Sequence, residues 1–207
     1  MRFATTAATL LGALGLAVGS AAAQTRPMPG MPMSGPTASL PPVTMAKGEA
    51  PEQMFTDTKI AAVASASNFN EIDPSQLALT QAQSQAVKDY ARQMIDDHTR
   101  FERQMRTMLG SKKVAVEDNA LSLQLKRNGP PTLDMLRSKM GAEFDKAYVL
   151  QQIESHDMTL MTLDTSLIPS AKDAEMKAML RDTVRPAVVQ HLQRIKQIHD
   201  SMAMAAR

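Results

Sequence analysis

VKDYARQMIDDHTRFERQMRTM, residues 87–108, is amphipathic with a regular beat. Val87, Ala91, Met94, His98, Phe101, Met105 and Met108 recur at intervals of 4, 3, 4, 3, 4 and 3. That repeat belongs to a helix that keeps one face against neighbouring helices. On such a helix Asp96 faces solvent, Asp97 lies near the flank, and His98 turns inward between Met94 and Phe101. An imidazole is tolerated inside a protein when its ring nitrogens find partners. This segment therefore predicts a helical bundle and asks what His98 meets in its interior.

Working outward, three further helices are expected. The first runs from Pro51 or Glu52 to about Ala82, with Pro74 either kinking it or restarting it behind Asp73 as N-cap. The segment just described runs from about Ser84 to Leu109. The third spans about Ala142 to Leu167, with Val149, Ile153, His156, Leu160, Leu163 and Leu167 on one seam. The fourth spans about Ala171 to Met204, with Val184, Val188, His191, Ile195, Ile198 and Met202 on its seam. Pro186 lies inside it and should free the carbonyl of Asp182. The stretch 111–131 is weakly patterned and reads as a crossing loop with room for a turn of helix, followed by a short helix capped by Thr132. β-branched alternation is missing, while Ala, Leu, Met, Gln, Lys and Glu favour helix. The reading is an all-α four-helix bundle over residues 51–207.

The N-terminal residues read differently. MRFATTAATLLGALGLAVGSAAAQ carries Arg2, an apolar run and the small pair Ala21 and Ala23, the pattern of a signal peptide over 1–23 cleaved before Gln24. The run is too short for a membrane span. The expected location is the periplasm or outside the cell, with no transmembrane anchor in the mature chain. Residues 24–50 are rich in Pro, Gly, Met and Ser and read as a disordered tether. The chain has no cysteine, which excludes disulfides and thiolate sites. Its 23 Lys and Arg nearly balance its 21 Asp and Glu, so a basic nucleic-acid footprint is not expected. No feature identifies a protein partner.

The histidines carry the chemistry. Of the four in the chain, His98, His156 and His191 fall on the seams of three different helices, and His199 does not. Glu71, on a seam with Ile60, Ala64 and Ser67, is the carboxylate best placed to join them. Glu102, four residues after His98, is near enough to reach its ring. Asp145 lies eleven residues before His156, about 16 Å along the axis, and cannot share a metal with it. Three readings follow. The histidines are hydrogen-bonded core residues; or, with Glu71, they hold a transition-metal ion; or they form a pH-responsive cluster.

Several segments resemble the bacterial domain of unknown function 4142 family. They are Glu71 with Leu77-Ala78-Leu79, Met94-Ile95-Asp96-Asp97-His98, Gly141-x-x-Phe144-Asp145-x-x-Tyr148 followed by His156, and Pro186 followed by His191-Leu192. The resemblance covers about residues 52–200 and implies a ferritin-like bundle in an exported protein, without implying an activity. Ferritin-like di-iron sites use Glu-x-x-His pairs. Here Ile95, Ile153 and Val188 stand three residues before the histidines, so a ferroxidase centre is not expected.

Weaker signals remain. Met28, Met31 and Met33 in the tether are soft ligands of the kind that bind Cu(I). The pairs Met105/Met108, Met158/Met161 and Met176/Met179 share a helix face and read as core packing. Ser155 beside His156 is not a nucleophile–base pair, because adjacent side chains diverge on a helix. No phosphate loop or H-E-x-x-H occurs, and no motif nominates a reaction. The expectation is a binding module rather than an enzyme, with a structural or stress-related interaction protein and a metal-dependent oxidoreductase as the other readings.

Overall fold

The computed structural model describes residues 54–205, and over these the protein is all-α with no strand. The expected signal peptide and tether lie outside the described residues. Apart from a single turn at Ile168–Ser170, the helices are α1 (Asp57–Gln81), α2 (Gln85–Ser111), α3 (Ala120–Arg137), α4 (Gly141–Thr162), α5 (Ala174–Ala178) and α6 (Arg185–Ala205). Two wide π turns interrupt the regular winding, Leu163–Leu167 after α4 and Met179–Val184 between α5 and α6. α1 pairs with α2, α4 pairs with α6, and contacts of α1 with α4 and of α2 with α6 close the four-helix bundle. α3 lies across the outside of α1.

Each long helix follows its seam. Every residue of the Val87-to-Met108 series is buried. α1 buries Ile60, Ala61, Ala62, Val63 and Ala66 on more than one side, because it is sandwiched between α2 and α3. Pro74 does not stop it. The helix is continuous from Asp57 to Gln81 with Pro74 buried, so Asp73 is not an N-cap. Packing on both sides offsets the one hydrogen bond that the proline removes.

The expected crossing loop is shorter than its sequence suggests: 112–119 are loop, and the rest of the segment is helix. α3 starts at Asn119, whose side chain accepts from Ser122 N at 2.8 Å while Ser122 Oγ accepts from Asn119 N at 2.9 Å. This reciprocal cap fixes the first turn. Asn119 Nδ2 also donates to the Met54 carbonyl at 2.7 Å, tying α3 to the chain before α1. Pro130 and Pro131 lie inside α3 and are exposed, so water can serve the carbonyls they leave unpaired. Thr132 is not a cap. Its hydroxyl donates back to the Asn128 carbonyl at 2.9 Å. Gly129 lets α3 approach α1 closely, since a Cβ there would sit 2.7 Å from Asn70 Oδ1.

The G-x-x-F-D-x-x-Y segment is a corner brace. Gly141 has φ +57°, a left-handed conformation that suits glycine, and it opens α4. One turn on, Asp145 is buried and accepts from Gln83 N at 3.0 Å and Ser84 N at 2.8 Å, capping the turn between α1 and α2. Phe144 stacks on Tyr148 with centroids 5.9 Å apart, and Tyr148 shares a 2.7 Å hydrogen bond with Ser75 of α1. A matching clamp sits at the other end of the bundle. There Asp57 accepts from Lys172 N and Asp173 N, both at 3.0 Å.

Candidate metal centre

His98 on α2, His156 on α4 and His191 on α6 meet in the middle of the bundle, with exposures of 5%, 1% and 1%. Their ring centroids lie 6.0 Å (His98–His156), 5.5 Å (His98–His191) and 5.4 Å (His156–His191) apart. One nitrogen from each ring can be chosen so that all three lie within 4.8 Å of one another. Nitrogens bound to one tetrahedral ion with bonds of 2.0–2.1 Å stand about 3.4 Å apart. The rings therefore need to close by little more than an ångström to share an ion.

The partners of the rings set their tautomers. Asn68 Nδ2 donates to Glu102 Oε2 at 3.2 Å, and since a carboxylate only accepts, the amide orientation is determined. Its Oδ1 faces His98 Nδ1 at 3.0 Å, so Nδ1 carries the proton. His156 Nδ1 lies 2.9 Å from the Gln152 carbonyl, another pure acceptor, and is likewise protonated. His191 Nε2 lies 2.9 Å from Asp97 Oδ2 and donates to it. The remaining nitrogens are His98 Nε2, His156 Nε2 and His191 Nδ1, and all three are buried without a hydrogen-bond partner. Each is the lone-pair nitrogen of its ring. Three neutral imidazoles, each held from behind by an acceptor, are the arrangement that orients histidine ligands around a metal.

Burial disfavours the charged form of two of the rings. Burial holds His98 well below the usual imidazole range, and the neighbouring His156 and His191 push it the same way. Burial lowers His191 to about 4, although its bond to Asp97 opposes the shift. In the metal-free protein a proton on His191 therefore favours the unfolded chain. Stability should be full above about pH 6.5 and fall as the pH drops toward 4. The loss is about 3 kcal/mol, since each pH step between the unfolded and folded pKa values is worth about 1.36 kcal/mol. Urea unfolding of chelator-treated protein between pH 7 and 4 measures this.

Glu71 stands apart from the three ring nitrogens. It is buried, accepts from Gln152 Nε2 at 2.6 Å and from the Ser155 hydroxyl, and its nearest approach to the cluster is 3.9 Å to His156 Nδ1, the protonated side of that ring. The structure brings the histidines together and leaves Glu71 behind His156. Glu102 reaches His98 only through Asn68, which bonds both, and its other partners are Ser65 at 2.9 Å and Arg106 at 2.6 Å. Asp97, read from the sequence as a flank residue, is the partner of His191 and is held from outside by Arg100 at 2.5 Å. Asn68 and Asp97 carry no signal of this role in the sequence, because both depend on which helix lies opposite.

Residues 41–198 match the domain of unknown function DUF4142. The chain belongs to the DUF4142 family. No curated protein sequence matches this DUF4142 chain. Among solved structures it is similar to CopM in the Cu(II)-bound form, with 22% identity and a TM-score of 0.56, over 71% of this chain and 98% of that one. It is likewise similar to CopM in the Ag-bound form obtained by co-crystallization, with 22% identity and a TM-score of 0.57, over 71% of this chain and 97% of that one. At this identity the likeness is one of fold. No helix among the described residues of the DUF4142 chain is long and apolar enough to cross a membrane.

Proposed function

We propose that this protein is an exported binding module that holds one transition-metal ion through His98 Nε2, His156 Nε2 and His191 Nδ1. The observation that carries the reading is that three buried histidines from three helices bring ring nitrogens within 4.8 Å of one another, and each ring has one nitrogen without a partner. A shared ion would relieve all three at once, where each orphaned polar group otherwise costs on the order of 1–3 kcal/mol. Neutral imidazole suits copper, zinc, iron and nickel. The fold shared with a protein solved in Cu(II)-bound and Ag-bound forms favours copper among them. Glu71 supports the site from behind His156 rather than completing the ligand set.

Metal analysis of protein purified without a histidine tag tests this. One Cu(II) per chain is expected, and His98→Ala and His191→Ala should each remove stoichiometric binding. Asp97→Asn keeps the shape beside His191 but weakens the acceptor, and should lower affinity by about 10–100-fold. Absence of stoichiometric binding by the unaltered protein overturns the reading.

A further inference from the structure

Beside the three histidines lies a cavity of about 40 Å³. That is room for about three water-sized bodies, or for one molecule of two or three heavy atoms. His98 and His156 line it together with Phe101, Met105, Leu180 and Val188. His191 does not line it. Ser67, Asn68, Glu71 and Thr159 also line it, but most of the wall is apolar, and His98 and His156 each bring a buried ring nitrogen with no partner.

The cavity follows from the backbone. Leu163 and Leu167 come from the first π turn, and Met179, Leu180 and Val184 from the second. A π turn is wider than an α turn and packs less closely around its axis. Each of these turns precedes or meets a proline, Pro169 and Pro186, whose ring would crowd the carbonyl four residues back in a regular helix. The two widened turns face the histidines with side chains that do not fill the space between them.

The ligand set is short by one. His98, His156 and His191 form the metal-capable group, and among the described residues no carboxylate joins them. Structural sites are usually closed by four protein ligands, whereas three ligands leave a position for an exogenous molecule. Resting on the metal reading above, we infer that this cavity is a binding site for a small exogenous ligand of two or three heavy atoms, which occupies the position the three histidines leave open. The apolar wall selects by size and excludes larger or extensively hydrated molecules.

Azide added to the Cu(II)-loaded full-length protein is the test, read by the azide-to-copper absorption band and the copper EPR spectrum. Azide should change both saturably at one equivalent per copper. Ala64→Leu, which extends a side chain from α1 into the cavity, should keep the copper content and weaken azide binding about tenfold or more. Val184→Leu, from the second π turn, is read in the same way should Ala64→Leu not fold. If copper does not load, the metal reading fails and this inference with it. If copper loads and azide changes nothing, as a Met105 thioether in the fourth position would cause, the metal reading stands and the open position is refuted. Equal azide affinity in the unaltered protein and the filled variants refutes the cavity as the route.

Discussion

Replacing His156 with leucine should abolish metal binding and raise the melting temperature of the metal-free protein. His156 is 1% exposed and its Nε2 has no partner. Its Nδ1 donates to the Gln152 carbonyl, which lies within α4 and keeps its helical hydrogen bond when the ring is gone. Leucine thus removes a buried orphan and strands nothing in exchange. The gain is on the order of 1–3 kcal/mol. For a chain of this size each kcal/mol moves the melting point by about 2–4 °C. Melts recorded with chelator and then with Cu(II) measure both halves. The unaltered protein should be stabilised by the ion and the variant should not. A variant clearly less stable than the parent in chelator would mean that the imidazole supports the core by itself, and the hydrogen-bonded reading would replace the metal one. Such an exchange of stability for a site is common where buried polar groups serve a ligand.

The second large effect is expected far from the histidines. Asp145→Ala should cost about 3 kcal/mol or more, because hydrogen bonds to a charged group are each worth about 1.5–3 kcal/mol. Asp145 makes two of them, to Gln83 N and Ser84 N. The melting point should fall by about 6–12 °C, while copper stoichiometry stays at one. Asp145→Asn should recover only part, since a single amide oxygen cannot serve both amides as a carboxylate does. A loss under about 1 kcal/mol would mean the capped turn is held by something else.

These two outcomes separate what is legible in the sequence from what is not. The 4, 3, 4, 3 spacing in α2 turns His98 inward, and the seams of the third and fourth helices do the same for His156 and His191. That is because burial on a helix is a matter of angular position, which spacing determines. The segment G-x-x-F-D-x-x-Y is also visible, yet its role is not. Asp145 acts on backbone groups 61 and 62 residues away, and no local pattern encodes that. Asn68 and Asp97 are illegible for the same reason. α3 escapes the sequence reading because its prolines look like a boundary, whereas an exposed outer helix can carry two of them with water at the freed carbonyls. Glu71 faces inward as its seam implies, but its partners are Gln152 and Ser155, and direction alone does not tell the back of His156 from its front.

The two π turns bear on how this chain tolerates change in length. Met176, Leu180, Val184 and Val188 line the cavity at steps of four, so twelve residues make what would be three turns. An α-helix advances about 100° per residue, and the wide turn over Met179–Val184 absorbs the surplus. In an unbroken α-helix Val188 would lie about 120° round from Met176, and His191 beyond it would shift with it. Point substitutions in the turn leave this phase intact, whereas a one-residue deletion or insertion there would re-aim the imidazole. Chain length through that turn, more than the identity of any residue in it, sets the direction from which the third histidine arrives.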